Sequence, residues 1–214
     1  MNRRFLSVAV AITASTALLV TGCSSGGSGD EASDKIKGAE SDKGASASVG
    51  ASAEPNAVKR PETKLPKSFQ VQFAGWTNSD PKLQAILDDG KERLRASYAA
   101  IINKDPQDDA FTFYSESDAL RTGTEWVKGF TDKNLVLIGK GRVFQPQPRI
   151  SPDGSGTLFY CVDESKGSTK DTKTGKVTAT PADDALVLYR TKLRKTKEGV
   201  WKTTMVQTER GACK

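Results

Sequence analysis

The stretch Leu135-Val136-Leu137-Ile138-Gly139-Lys140-Gly141-Arg142-Val143-Phe144 decides the fold, because from Lys133 onward the apolar period shortens from helical to two. It predicts a strand over 135–144. Downstream, Asp153-Gly154-Ser155-Gly156 reads as a turn and Thr157 to Val162 as the next strand. A polar loop is expected from Asp163 to Thr178, and then a terminal hairpin from Ala185 to Leu193 and Val200 to Val206, turning across 195–199. Upstream the pattern is helical. Asp80-Pro81 joins an N-cap to a proline at the first helical position, and Leu83, Ile86, Leu87, Leu94, Tyr98, Ile101 and Ile102 follow at helical spacing, so this helix should end before Pro106. Phe111, Phe113 and Tyr114 form a short apolar knot. Ser115-Glu116-Ser117-Asp118 then resembles a capping box for a second helix that buries Leu120, Trp126, Val127 and Phe130. The alternation Phe69-Gln70-Val71-Gln72-Phe73 predicts an added edge strand. The expectation is one α+β domain over 65–214, too short for two proper cores.

The first 64 residues read differently. Arg3 and Arg4 precede an uncharged run of 16 residues, Phe5 to Val20, which is too short for a comfortable membrane span. Leu18-Leu19-Val20-Thr21-Gly22-Cys23, followed by Ser24-Ser25-Gly26-Gly27-Ser28, resembles the lipobox of bacterial lipoproteins. The resemblance implies a signal peptide over 1–22, cleavage after Gly22, a lipid on Cys23 and a mature chain anchored to the cell membrane on its extracytoplasmic face. An ordinary secretory signal or an uncleaved anchor is the alternative. Asn2-Arg3-Arg4-Phe5-Leu6 loosely resembles a twin-arginine export signal. From Cys23 to residue 64 the chain is Ser, Gly, Ala and charged residues with almost nothing large and apolar, so it is expected to be a disordered tether. As a flexible coil it would reach about 35 Å.

With Cys23 used for lipid on the oxidising side of the membrane, Cys161 and Cys213 are expected to pair; two inert buried thiols are the alternative. From Lys64 onward 25 basic residues face 19 acidic ones, whereas 5 face 7 between Cys23 and Thr63, so the whole chain's formal charge of +6 belongs to the folded part. Arg190, Lys192 and Arg194 alternate along one strand, with Lys202 on the hairpin partner beside them. This basic face could bind anionic wall polymer, lipid headgroups or an envelope protein, or could simply be a solvated strand face. Nucleic acid is not an expected partner. Oligomeric state is left open, with a homodimer among the options.

A long helix, a helical pair and a curved antiparallel sheet resemble the NTF2-like cone fold, which includes SnoaL-type cyclases and ketosteroid isomerases. More narrowly, the chain resembles actinobacterial lipoproteins of that type in Tyr160-Cys161-Val162-Asp163, Gly199-Val200-Trp201 and Gly211-Ala212-Cys213. The resemblance covers roughly 78–214 and implies a pocket between helices and sheet. Tyr98, Tyr114, Trp126, Tyr160, Tyr189 and Trp201, with Trp76, could line it or could be core.

The chain has no histidine, which removes His-dependent triads, His bases and His-containing zinc sites. Asp163, at the end of a predicted central strand, is the best-placed carboxylate, with a solvated loop acid as its plainer reading. No catalytic residue, metal site or cofactor is expected. The functional expectation is a non-enzymatic envelope binding or accessory module, with a carrier of a hydrophobic small molecule or a SnoaL-like isomerase as alternatives.

Overall fold

The computed structural model describes residues 58–213; the expected signal, Cys23 and most of the expected tether lie outside the described residues. The elements run β1 (Phe69–Phe73), α1 (Pro81–Ile102), α2 (Asp109–Tyr114), α3 (Ser117–Thr131), β2 (Leu135–Ile150), β3 (Gly156–Asp171), β4 (Val177–Ala179), β5 (Leu186–Lys195) and β6 (Trp201–Arg210). Helices come first and strands second, as expected. The sheet order is β1-β2-β3-β5-β6, with β4 paired to the far half of β3. All pairings are antiparallel except β1 with β2, so the first alternation is indeed an added edge strand, laid parallel. The fold is an α+β cone, with the helices on the concave face.

Helix α1 starts as its sequence dictates: Asp80 accepts a hydrogen bond from the Lys82 N–H at 2.8 Å, and Pro81 opens the first turn. Its inner face carries Ile86, Leu87, Leu94, Tyr98 and Ile101 against the sheet and the other helices. The strand faces sort cleanly. Leu158, Tyr160 and Val162 of β3 lie opposite Thr191, Tyr189 and Val187 of β5, and all six are buried against the helices.

Four local expectations differ from the structure. The polar stretch after Asp163 is strand, not loop: β3 continues to Asp171 and β4 folds back on it. This half of the hairpin is held by its ladder to 135–140 rather than by burial, so nothing demands apolar residues there. The apolar knot is a short helix, α2, capped by Asp108 Oδ1 accepting from the Phe111 N–H at 2.9 Å. The capping box does not form. Ser115 is drawn into the core beside Arg93, Glu116 donates its N–H to the Thr203 carbonyl, and α3 begins at Ser117 with no side-chain cap. Residues 58–64, expected as tether, already pack on α1. The Asp89 carboxylate accepts from Arg60 Nε at 2.8 Å, and Arg95 Nη2 donates to the Thr63 carbonyl at 2.8 Å.

The sheet bends inside the decisive stretch. Gly139 sits at φ +94°, and a Cβ there would lie 2.4 Å from the Lys166 carbonyl oxygen, so only glycine fits. Register shifts follow between Lys140 and Arg142 and between Phe144 and Gln147. Such bulges add twist and curvature.

Cys161 and Cys213 form a disulfide across 52 residues, on the convex face. The tail reaches Cys161 by curling over the start of β5, guided by the Gly211 N–H donating to the Leu186 carbonyl at 2.7 Å. Loop closure of that length stabilises by about 4 kcal/mol at most. Replacing both cysteines by serine is expected to lower the unfolding free energy by up to about that amount in urea titrations. An unchanged midpoint, or free thiols at both positions in non-reducing peptide maps, would contradict the pairing.

Candidate functional site

The two halves of α1 meet the sheet differently. In the N-terminal half, Gly90 lets Leu158 come so close that a Cβ would stand 2.5 Å from Leu158 Cδ2, while Gly156 similarly admits Trp201 and Ile86. That end is filled. From Arg93 onward α1 lines a cavity of about 530 Å³ that lies between α1, α3 and the concave face. This is the size class of small-molecule pockets.

Of the six aromatic residues singled out in the sequence, Tyr98, Trp126 and Tyr189 line this cavity. Tyr160 lies behind them, stacked on Tyr189 with ring centroids 5.0 Å apart. Tyr114 and Trp201 do not line it. Tyr114 packs edge-on against Phe113, and Trp201 fills the closed end, donating its backbone N–H to Asp89 Oδ2 at 2.8 Å. Trp76 is likewise core, its indole N–H donating to the Leu87 carbonyl at 2.7 Å. Trp126, expected on the buried side of α3, is 39 % exposed at the mouth.

Asp163 points to the convex face, away from the cavity. Its carboxylate accepts from the Ser165 N–H at 2.9 Å, and hydrogen bonding to Ser165 lowers its pKa. The next residue, Glu164, lines the cavity instead, paired with Arg210 at 3.1 Å. Glu92 on α1 has its pKa raised, mainly by burial, but lies outside the cavity wall. Among the described residues no group of three His, Cys, Asp or Glu side chains is placed to hold a metal ion.

Arg190, Lys192 and Arg194 do share the convex face of β5, and Lys202 lies opposite Arg194. Two of the four are committed to acids: Arg190 pairs with Glu209 at 2.7 Å, and Arg194 forks onto both oxygens of Glu116 at 2.7 and 2.6 Å. Lys202 lies over the Phe113 ring, 5.7 Å from its centroid.

The residue that sequence reasoning missed is Arg93. It is only 5 % exposed, yet it lines the cavity. Nε donates to Ser115 Oγ at 3.5 Å, the guanidinium carbon stands 5.7 Å from the centroid of Phe111, and the Tyr160 phenol is beside it. On α3, Gly123 leaves room for both neighbours, since a Cβ there would meet Phe111 Cζ at 2.6 Å and Arg93 Nη2 at 3.5 Å. Its position on the buried stripe of α1, seven residues after Ile86 and four before Ser97, was the available signal.

No protein-family model matches the chain, and no curated protein matches it. Among solved structures, the chain is similar to the intermembrane space region of the chloroplast protein ARC6 (12% identity, 63% of this chain and 99% of that one, TM-score 0.45). It is also similar to a ketosteroid isomerase-like protein from Erwinia carotovora atroseptica (14% identity, 61% and 97%, TM-score 0.44). A third is Aln2 from a Streptomyces species (13% identity, 63% and 94%, TM-score 0.42). These are likenesses of fold alone.

Burial raises the pKa of all four tyrosines of the chain above the ordinary value of 10: Tyr114 and Tyr160 to about 12, with Tyr98 and Tyr189 also pushed well up. A folded pKa above the unfolded one means stability that is complete below pH 10 and is lost as pH rises through the folded values. Absorbance of phenolate at 295 nm is therefore expected to stay flat past pH 10 and to rise together with alkaline unfolding near pH 12. A phenolate signal titrating near pH 10 in folded protein would contradict this burial.

Proposed function

We propose that the protein is a cell-envelope lipoprotein, held on the outer face of the membrane through Cys23, whose domain is a non-catalytic binding module for an apolar small molecule. The supporting observation is the cavity of about 530 Å³ between helices and sheet, left unfilled by side chains and walled by Tyr98, Trp126, Phe130 and Tyr189. A protein interior normally closes such space, because unfilled volume forfeits packing energy. A retained, partly aromatic cavity is best explained by a ligand that occupies it.

Binding is favoured over isomerase-type catalysis by the state of the carboxylates. A general base needs a free carboxylate within reach of the substrate. Glu164 is tied to Arg210, Asp163 faces the opposite side of the sheet, and Asp184, the other acid of the cavity lining, is solvent-exposed. The basic face of β5 contributes long-range attraction to anionic envelope material through Lys192 and Lys202, since Arg190 and Arg194 are already neutralised.

Two measurements test the proposal. Labelling with a palmitate analogue should tag the wild-type chain and not Cys23→Ala, and equal labelling or equal membrane retention would remove the anchor. Nile red, an uncharged apolar dye, should gain fluorescence on binding purified protein, and Val206→Trp, which projects into the cavity, should weaken that binding at least tenfold without unfolding the domain. No dye binding, or undiminished binding by the variant, would remove the ligand.

A further inference from the structure

Arg93 carries a charge that the fold does not neutralise. Burying a guanidinium is costly unless an acid and a full set of hydrogen bonds compensate it. The natural partner, Asp89 one turn earlier, is already satisfied: Oδ1 accepts from Arg60 Nε at 2.8 Å, and Oδ2 from Arg60 Nη2 at 3.3 Å and from the Trp201 N–H at 2.8 Å. Glu164, on the cavity wall, is engaged with Arg210 at 3.1 Å. Among the described residues Arg93 has no ion-pair partner, and the hydrogen bond that it donates to Ser115 is a long one. The Phe111 ring and the Tyr160 phenol, which lies within hydrogen-bonding reach of the guanidinium, are its remaining neighbours, and neither carries a charge to oppose its own.

The side chains of Tyr98 and Tyr189 are more than nine-tenths buried and line the same cavity. One buried cation and two phenols therefore face a space whose apolar wall is Leu94, Trp126, Phe130 and Val187, while the charged residues Lys140, Asp184 and Arg210 of its lining are solvent-exposed and Glu164 is paired with Arg210. Such a set suits a molecule that is apolar over most of its surface and anionic at one end.

The geometry points to a carboxylate-bearing apolar ligand, its acid received by the Arg93 guanidinium and its body lying between the aromatic residues of α1, α3 and β5. This deepens the binding-module reading and rests on it. An arginine fork matches a carboxylate with two parallel N–H···O bonds, and at a guanidinium as buried as that of Arg93 such a pair is screened less than at the surface. The cavity is of drug-ligand size, so a single ring system or single acyl chain fits better than a two-chain lipid.

The test compares naphthylacetic acid with its neutral amide, naphthylacetamide, by calorimetry at neutral pH on the purified protein. Wild type is expected to bind the acid at least tenfold more tightly than the amide. Arg93→Met should lose at least tenfold in acid affinity while keeping the amide within about twofold, and Arg93→Lys should keep part of the preference. Equal affinity of wild type for acid and amide overturns the inference, as does undetectable acid binding by protein that takes Nile red; in both cases the cavity reading survives. Failure of wild type to bind all three molecules sinks the cavity reading itself. Because the acid-to-amide ratio is read on wild type, the inference stays decidable even if Arg93→Met does not fold.

Discussion

Gly139 cannot carry a side chain. With φ at +94° and the Lys166 carbonyl 2.4 Å from where a Cβ would be, the backbone of β2 passes its partner too closely for any other residue. Gly167 stands opposite it in the ladder, so both strands of the longest hairpin are stripped to backbone at one level. The bend there separates two regimes of the same sheet. On one side the concave face packs tightly on α1; on the other, residues 135–140 and 166–171 carry few buried side chains and rim a cavity.

The two regimes show in the fates of two charged residues one turn apart on α1. Asp89 lies at the packed end, where Arg60 and the Trp201 N–H satisfy it; it ties residues 58–64, the helix and the last strand together. Arg93 lies at the cavity wall, where among the described residues no acid stands within ion-pair distance of it. Breaking the first pair would leave a buried carboxylate uncompensated, a loss of stability. Removing the second charge would relieve a desolvation cost of the empty protein. A costly group kept at a cavity wall is characteristic of a functional site rather than of a fold.

The general architecture was legible because burial imposes period: the helical stripe of α1, the alternation from Lys133 and the terminal hairpin all face one core. The continuation of β3 past Asp163 was not, since Ser165, Lys166, Ser168 and Lys170 are held by ladder bonds and none of them is buried. The failed capping box at Ser115 has the same origin in tertiary competition, because Arg93 and Thr203 take the groups that a local cap would use. For the site, the aromatic composition pointed to the right kind of surface but could not separate Tyr98 and Tyr189, at the cavity, from Tyr114 and Trp201, in the core. Arg93 was overlooked as one basic residue among 32, although an arginine on the buried stripe of a helix is the anomaly that a packed core does not tolerate without cause.

The expected export signal and lipid would hold this cavity outside the membrane, where an acidic apolar molecule is soluble as an anion yet benefits from a protein that shields its body. The most direct measurement is a crystal structure of the protein with naphthylacetate bound. The carboxylate is expected inside the cavity, roughly 2.7–2.9 Å from the Arg93 guanidinium nitrogens, with the rings against Tyr98 and Tyr189. Ligand density on the outer surface, or inside the cavity with the carboxylate turned away from Arg93, would contradict it.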